Sequence, residues 1–198
     1  MTPPLPLQAV QLGLRRLTVA ECHKLTADGF FAEDERFELL DGYIVRRPSP
    51  SPPHATGISL CAGTLLTVIQ SGWEVHQRSE VTLAASAPEP DVSVVRDRGR
   101  DYFGRHPNVG DLGLVVDVTD AMLLDARRDK VRIYAAGGVP VYWIVNIPDR
   151  QVEVYTDPRP AADQPGYATR VDYKPGDAVP LTLDGATATV VPVADLLP

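Results

Sequence analysis

The spacing of apolar residues changes period several times along the chain, and each change marks an element. Thr18-Val-Ala-Glu21 has capping-box spacing ahead of Cys22, Leu25 and Ala27, and Gly29 supplies a stop, so a short helix is predicted over 18–28. Alternation then takes over: Arg36-Phe-Glu-Leu-Leu40, Asp41-Gly42 and Tyr43-Ile-Val45 read as strand, two-residue turn and strand. After the proline-rich loop Pro48 to Pro53, the residues Ile58, Leu60, Cys61, Leu65, Leu66 and Ile69 recur at helical spacing, which predicts a long helix over 54–70.

Strands are predicted next at Trp73 to Leu83 and at Pro90 to Val95, followed by an exposed loop of Arg, Asp and Gly from Arg96 to Gly110. Leu112 to Thr119 is almost continuously apolar, the pattern of a strand covered on both faces of a sheet. A second long helix is predicted over about 121–136, closed by Gly137-Gly138 and Pro140. Val141 to Asn146 then reads as a buried strand that pairs with Gln151 to Thr156 through a turn at Pro148-Asp149, and short strands follow near 167–173 and 187–193. This alternation predicts an α/β fold, a mixed central sheet flanked by helices, with an extra N-terminal hairpin and C-terminal strands.

Composition narrows the picture. A chain of 198 residues with 44% apolar content is read as one domain over 1–198 that folds without disulfides or a structural metal. Its parts are a proline-rich tail at 1–12, a core over about 17–156 and a turn-rich extension at 157–198. Cys22 and Cys61 stand outside any zinc-binding spacing, and no run reaches the roughly 20 apolar residues of a membrane span, so a cytoplasmic protein with no membrane partner is expected. The net charge of −7 argues against broad electrostatic attraction to nucleic acid. Its distribution softens that objection, because residues 91–132 carry 8 basic and 8 acidic side chains. Arg96, Arg98, Arg100 and Arg105 in the loop, with Arg127, Arg128, Lys130 and Arg132 in the helix, predict a local basic rim.

Three residues break the apolar pattern. Asp117 interrupts the central strand, and Asp91 does the same in its own strand; a buried carboxylate must be paired, hydrogen-bonded or bound to a cation. Two acids at adjacent strand ends suit an oxygen-ligated Mg²⁺ or Mn²⁺, and they equally suit structural hydrogen bonds. Lys130 lies on the helix face shared by Leu123, Ala126, Ile133 and Tyr134, opposite Asp125, Arg128, Asp129 and Arg132. It either meets the acids of the preceding strand or reaches past the helix edge to solvent. Tyr134 and Trp143 have core spacing.

The run Phe37-Glu-Leu-Leu-Asp41-Gly42, the loop Ser49 to His54, Pro90-Asp91 and Lys130-x-x-x-Tyr134-x-x-x-Gly138-Val-Pro-x-Tyr-Trp-Ile-Val145 resemble the Uma-two (Uma-type) family of putative restriction endonucleases, within the PD-(D/E)XK nuclease superfamily. The resemblance runs from Leu17 to Tyr155. It implies a restriction-endonuclease-like core in which Asp91 and Asp117, with the main-chain carbonyl of Val118, hold Mg²⁺ (or Mn²⁺). In it Lys130 replaces the superfamily lysine expected at Thr119, and Glu38 is a further acid directed at the site. His54 stands where the family also has a histidine, and phosphate contact and helix entry explain it equally well; Arg127 is a candidate substrate contact. The implied activity is metal-dependent endonuclease cleavage of DNA, with a homodimer suited to cutting both strands. Asp117 where glutamate is usual, together with Ala121, Met122 and Ala126, supports the alternative of a weakened or inactive nuclease-fold module that binds DNA or a protein partner.

Overall fold

The computed structural model describes residues 15–32, 34–120 and 124–198, with the side chains of 124–128 outside the description. The elements are α1 (Val19–Ala27), β1 (Phe37–Leu40), β2 (Tyr43–Arg46), α2 (Pro52–Val68), β3 (Trp73–Gln77), β4 (Val92–Arg96), β5 (Leu112–Thr119), α3 (Leu124–Ala136), β6 (Val141–Asn146), β7 (Gln151–Arg159), β8 (Gly166–Tyr173), β9 (Ala178–Leu183) and β10 (Ala186–Pro192). Strands β3 to β8 form one sheet in chain order, antiparallel except for the parallel pair β5 and β6, whose crossover is α3. This is the mixed α/β architecture expected, with hairpins β1–β2 and β9–β10 added to it.

Alternation along the central strands sorts the core into two layers. Leu114, Val116 and Val118 of β5, with Trp143 and Val145 of β6, pack on α2 through Ile58, Cys61 and Leu65. On the opposite face Val115 of β5 and Tyr142 and Ile144 of β6 pack on α3 through Ile133 and Tyr134. Tyr134 and Trp143 are thus core residues. The β9–β10 hairpin closes the α2 layer with Val179, Leu181 and Val191.

Local chemistry explains the boundaries. Thr18 and Glu21 form the capping box of α1, and Ser51 caps α2 ahead of Pro52 and Pro53, whose fixed φ suits a first turn. Asp41 and Gly42 both have positive φ, at 49° and 81°, as the hairpin turn requires. A Cβ on Gly42 would also lie 2.6 Å from Arg16 Cβ, so glycine is needed there for space as well.

Two expectations are corrected. The strand predicted over Trp73 to Leu83 ends at Gln77, because Arg78 takes a φ of 49° and the chain turns into a loop held by Val81 N–H to Pro88 O and Leu83 N–H to Ser86 O. Strand β9 was not expected at all, since Pro180 obscures its alternating Val179, Leu181 and Leu183. The basic helix residues Arg127 and Arg128, along with Ala121, Met122, Leu123, Asp125, Ala126 and the tail at 1–12, lie outside the described residues or side chains.

Candidate active site

Asp91 and Asp117 come together because β4 and β5 are antiparallel with Val92 opposite Val116, which sets the two aspartates opposite one another one step further on. Neither is accessible to solvent. Since β4 pairing stops there, the backbone of Val118 meets a side chain instead of a strand: its N–H donates to Asp91 Oδ2 at 2.9 Å. His54, in the first turn of α2, places Nε2 3.0 Å from the same oxygen, and Arg47 Nη2 donates to Asp91 Oδ1 at 3.1 Å. Gly57 lets α2 come this close, because a Cβ there would sit 2.8 Å from Val118 Cγ1.

Asp117 points to the α3 layer. Tyr142 donates its hydroxyl to Oδ2 at 2.9 Å, and Lys130 Nζ lies 3.6 Å from Oδ1. The closer partner of Lys130 is Glu38 of β1, at 2.8 Å. Lys130 therefore meets buried acids and does not reach solvent; its ammonium joins Glu38 and Asp117, and all three side chains are buried. Glu38 also accepts from the Glu89 N–H at 3.1 Å. A burial pattern on an amphipathic helix identified the lysine, but the hairpin supplied its main partner.

Arg47, Glu89 and Tyr142 were not anticipated from the sequence. Arg47 bridges Glu89 and Asp91, and Arg36 pairs with Glu89 as well. Burial works to lower the Arg47 pKa, but the carboxylates of Glu38, Glu89, Asp91 and Asp117 together hold it above the ordinary arginine value. Burial raises the Glu89 carboxyl above its usual range despite Arg47. The same acidic field reaches Cys61 of α2, whose thiol is pushed up to about 12 first by burial and then by Asp91. The only local signals for this set were Arg46-Arg47 at the end of the hairpin and Glu89 in the Pro-Glu-Pro run before Asp91.

The site gathers the carboxylates of Glu38, Glu89, Asp91 and Asp117 among Arg36, Arg47, Arg78, Lys130 and His54. Its donors are oxygens, the set preferred by Mg²⁺ and Mn²⁺. Ser51 Oγ donates to Asp120 at 2.7 Å and ties the start of α2 to the end of β5 beside the site.

The expected basic rim does not form from the arginine loop. Asp91 precedes β4 and Arg96 ends it, which separates them by about 16 Å at strand rise. At that far end Arg96 pairs with Asp184 and covers the Trp73 ring at 4.1 Å, while Arg98 and Arg105 converge on Asp111 at 3.2 and 2.6 Å. Arg132, on α3, pairs with Asp41 of the hairpin turn. Asp184, Asp111 and Asp41 thus each hold one or two of these arginines, pairings that composition counting does not show.

No helix among the described residues is long and apolar enough to cross a membrane. No curated protein matches the chain. Among solved structures, the chain is similar to a putative nuclease belonging to DUF820 from Anabaena variabilis ATCC 29413, with a TM-score of 0.68 at 18% identity over 91% of this chain and 97% of that one. That likeness carries the fold. The family model Uma2, described as a putative restriction endonuclease, matches residues 19–190, which takes in Glu38, Asp91, Asp117, Lys130, β9 and β10 as far as Val190. The chain belongs to the Uma2 family of putative restriction endonucleases.

Proposed function

We propose that the chain is a divalent-metal-dependent endonuclease that hydrolyses phosphodiester bonds in DNA. The observation that carries this reading is the burial of Asp91 and Asp117 on neighbouring chain segments, at the start of β4 and in β5, with Lys130 and Glu38 beside Asp117. Asp91 and Asp117 would hold Mg²⁺ or Mn²⁺, with the Val118 main-chain carbonyl as a further oxygen ligand. A bound cation supplies an activated water and neutralises charge at the phosphate.

The protein's own groups have separable roles in this proposal. Lys130 places positive charge beside Asp117 and orients the attacking water, and Glu38 fixes the ammonium from the other side. Arg47 and His54 hold the Asp91 carboxylate in one orientation. His54 thereby takes a positioning role through Asp91, and phosphate contact passes to other groups. Arg127, one turn of α3 before Lys130, remains the candidate substrate contact. A homodimer would present two such sites for the two strands of a duplex.

A second reading draws on a specific feature: Asp91 and Asp117 are fully buried and already accept from internal donors. In that reading the fold binds DNA or a protein partner and cleaves poorly. The deciding experiment is plasmid cleavage in Mg²⁺ and in Mn²⁺ by the wild type, Asp91→Ala and Lys130→Met. Cleavage by the wild type alone, abolished by EDTA, supports the nuclease; cleavage retained by Asp91→Ala overturns the site. DNA retention without cleavage by any of the three supports the binding module.

A further inference from the structure

We propose that the protein carries a separate surface site for a borderline transition-metal ion, zinc foremost, built from His23, Glu80 and His106. The three residues come from distant parts of the chain: His23 from α1, Glu80 from the loop after β3, and His106 from the loop before β5. His23 Nε2 lies 2.7 Å from Glu80 Oε1, His106 Nε2 lies 4.0 Å from the same oxygen, and the three ligand atoms fall within 4.8 Å of one another. Ligands at ordinary Zn–N and Zn–O lengths in a tetrahedron are about 3.4 Å apart, so closing this set needs shifts of an ångström or less in side chains. The two imidazole rings, 5.8 Å apart and tilted by 45°, leave room between them.

Two histidines and one carboxylate are the donor chemistry of zinc and its neighbours, whereas the all-oxygen site at Asp91 and Asp117 suits a hard ion. The surroundings support the assignment. The cluster borders an open cleft of about 580 Å³ lined by His23, Thr82, Tyr102, Arg105, His106 and Asn108, which gives a fourth ligand access to the ion. Thr82 Oγ1 donates to Glu80 Oε1 at 3.4 Å and helps to set its direction. Arg105, the cation in the cleft, is already paired with Asp111 at 2.6 Å. None of the three residues takes part in the Glu38, Asp91, Asp117 and Lys130 network. An ion here would clamp α1, which packs on Leu39 of β1 and on Ala87, to the arginine loop.

The test uses the full chain, stripped with EDTA and titrated calorimetrically with Zn²⁺ alone. The wild type, His23→Ala, His106→Ala and Asp91→Asn are compared, with Tm recorded for each with and without metal. The expected result is one zinc equivalent that survives Asp91→Asn and weakens by more than about tenfold in either histidine variant. In the wild type, free zinc at about a hundred times Kd raises Tm by roughly 5–10 °C. His106 is an exposed loop residue, so His106→Ala with an unchanged metal-free Tm carries the test even if His23→Ala disturbs α1. Zinc binding that is unchanged in both histidine variants, that disappears with Asp91→Asn, or that is absent from the wild type overturns the proposal.

Discussion

The two faces of β5 solve the problem of burial in opposite ways. Toward α2, Leu114, Val116 and Val118 meet Ile58, Cys61 and Leu65 in apolar contact along the middle of the helix. Toward α3, the same strand buries Asp117 and surrounds it with Tyr142, Lys130 and, through the lysine, Glu38. The first face loses stability when shape is wrong; the second loses it when charge is uncompensated. A strand whose residues alternate in direction can keep both within one sheet, so chemistry sits against a core rather than on a loop.

Removing the lysine tests the charged face most severely. Lys130→Ala leaves Glu38 and Asp117 buried without their ammonium and is expected to cost about 3–5 kcal/mol in urea unfolding. Adding Glu38→Gln should return part of that loss, because one uncompensated carboxylate disappears. If Lys130→Ala is neutral, the buried ion pair is not a support of the fold.

On the apolar face the corresponding test is Gly57→Ala. Alanine ordinarily favours a helix over glycine by about 1 kcal/mol, but the new Cβ would stand 2.8 Å from Val118 Cγ1. The clash is expected to win, for a net loss of about 1–2 kcal/mol. In a Val118→Ala background the sign should reverse, and the double-mutant cycle measures that reversal directly.

The paired charges at the far end of β4 give the contrasting case for Lys130. Arg105 is exposed, so Arg105→Ala is expected to change stability far less than Lys130→Ala although its bond to Asp111 is short. A loss as large as that for Lys130→Ala would mean that exposure does not separate the two kinds of ion pair.

Acid titration separates them by sign. The Arg105 hydrogen bond, followed by the Asn108 N–H and Arg98, holds Asp111 below the ordinary aspartate range. Its stabilisation is present above the unfolded pKa and is lost as pH falls through the lowered folded pKa. Glu89 behaves in reverse: burial raises its folded pKa, so its contribution is complete below the unfolded pKa and is lost as pH rises through the folded one. Unfolding curves of Asp111→Asn and Glu89→Gln across pH 2 to about 6 should therefore diverge from the wild type in opposite directions.

Much of this was legible before any fold was known. The capping box at Thr18, the Asp41-Gly42 turn, the two long helices and the apolar run at β5 depend on neighbours a few residues apart, and those interactions are written locally. Asp91, Asp117 and Lys130 were also visible, as charges out of place in apolar patterns. β9 escaped because a proline interrupts its pattern, and the strand after Trp73 was overextended because one left-handed residue ends it.

Partnership is what the sequence alone did not determine. That Lys130 lies nearest Glu38, that Arg47 clasps Asp91, and that the loop arginines spend their charge on Asp111 and Asp184 follow from which strand ends and hairpins the fold brings together. The physical reason is that a misplaced charge announces only that it needs a partner. Desolvation makes the need local and strong, but the identity of the partner depends on contacts between segments far apart in the chain, which tertiary packing decides.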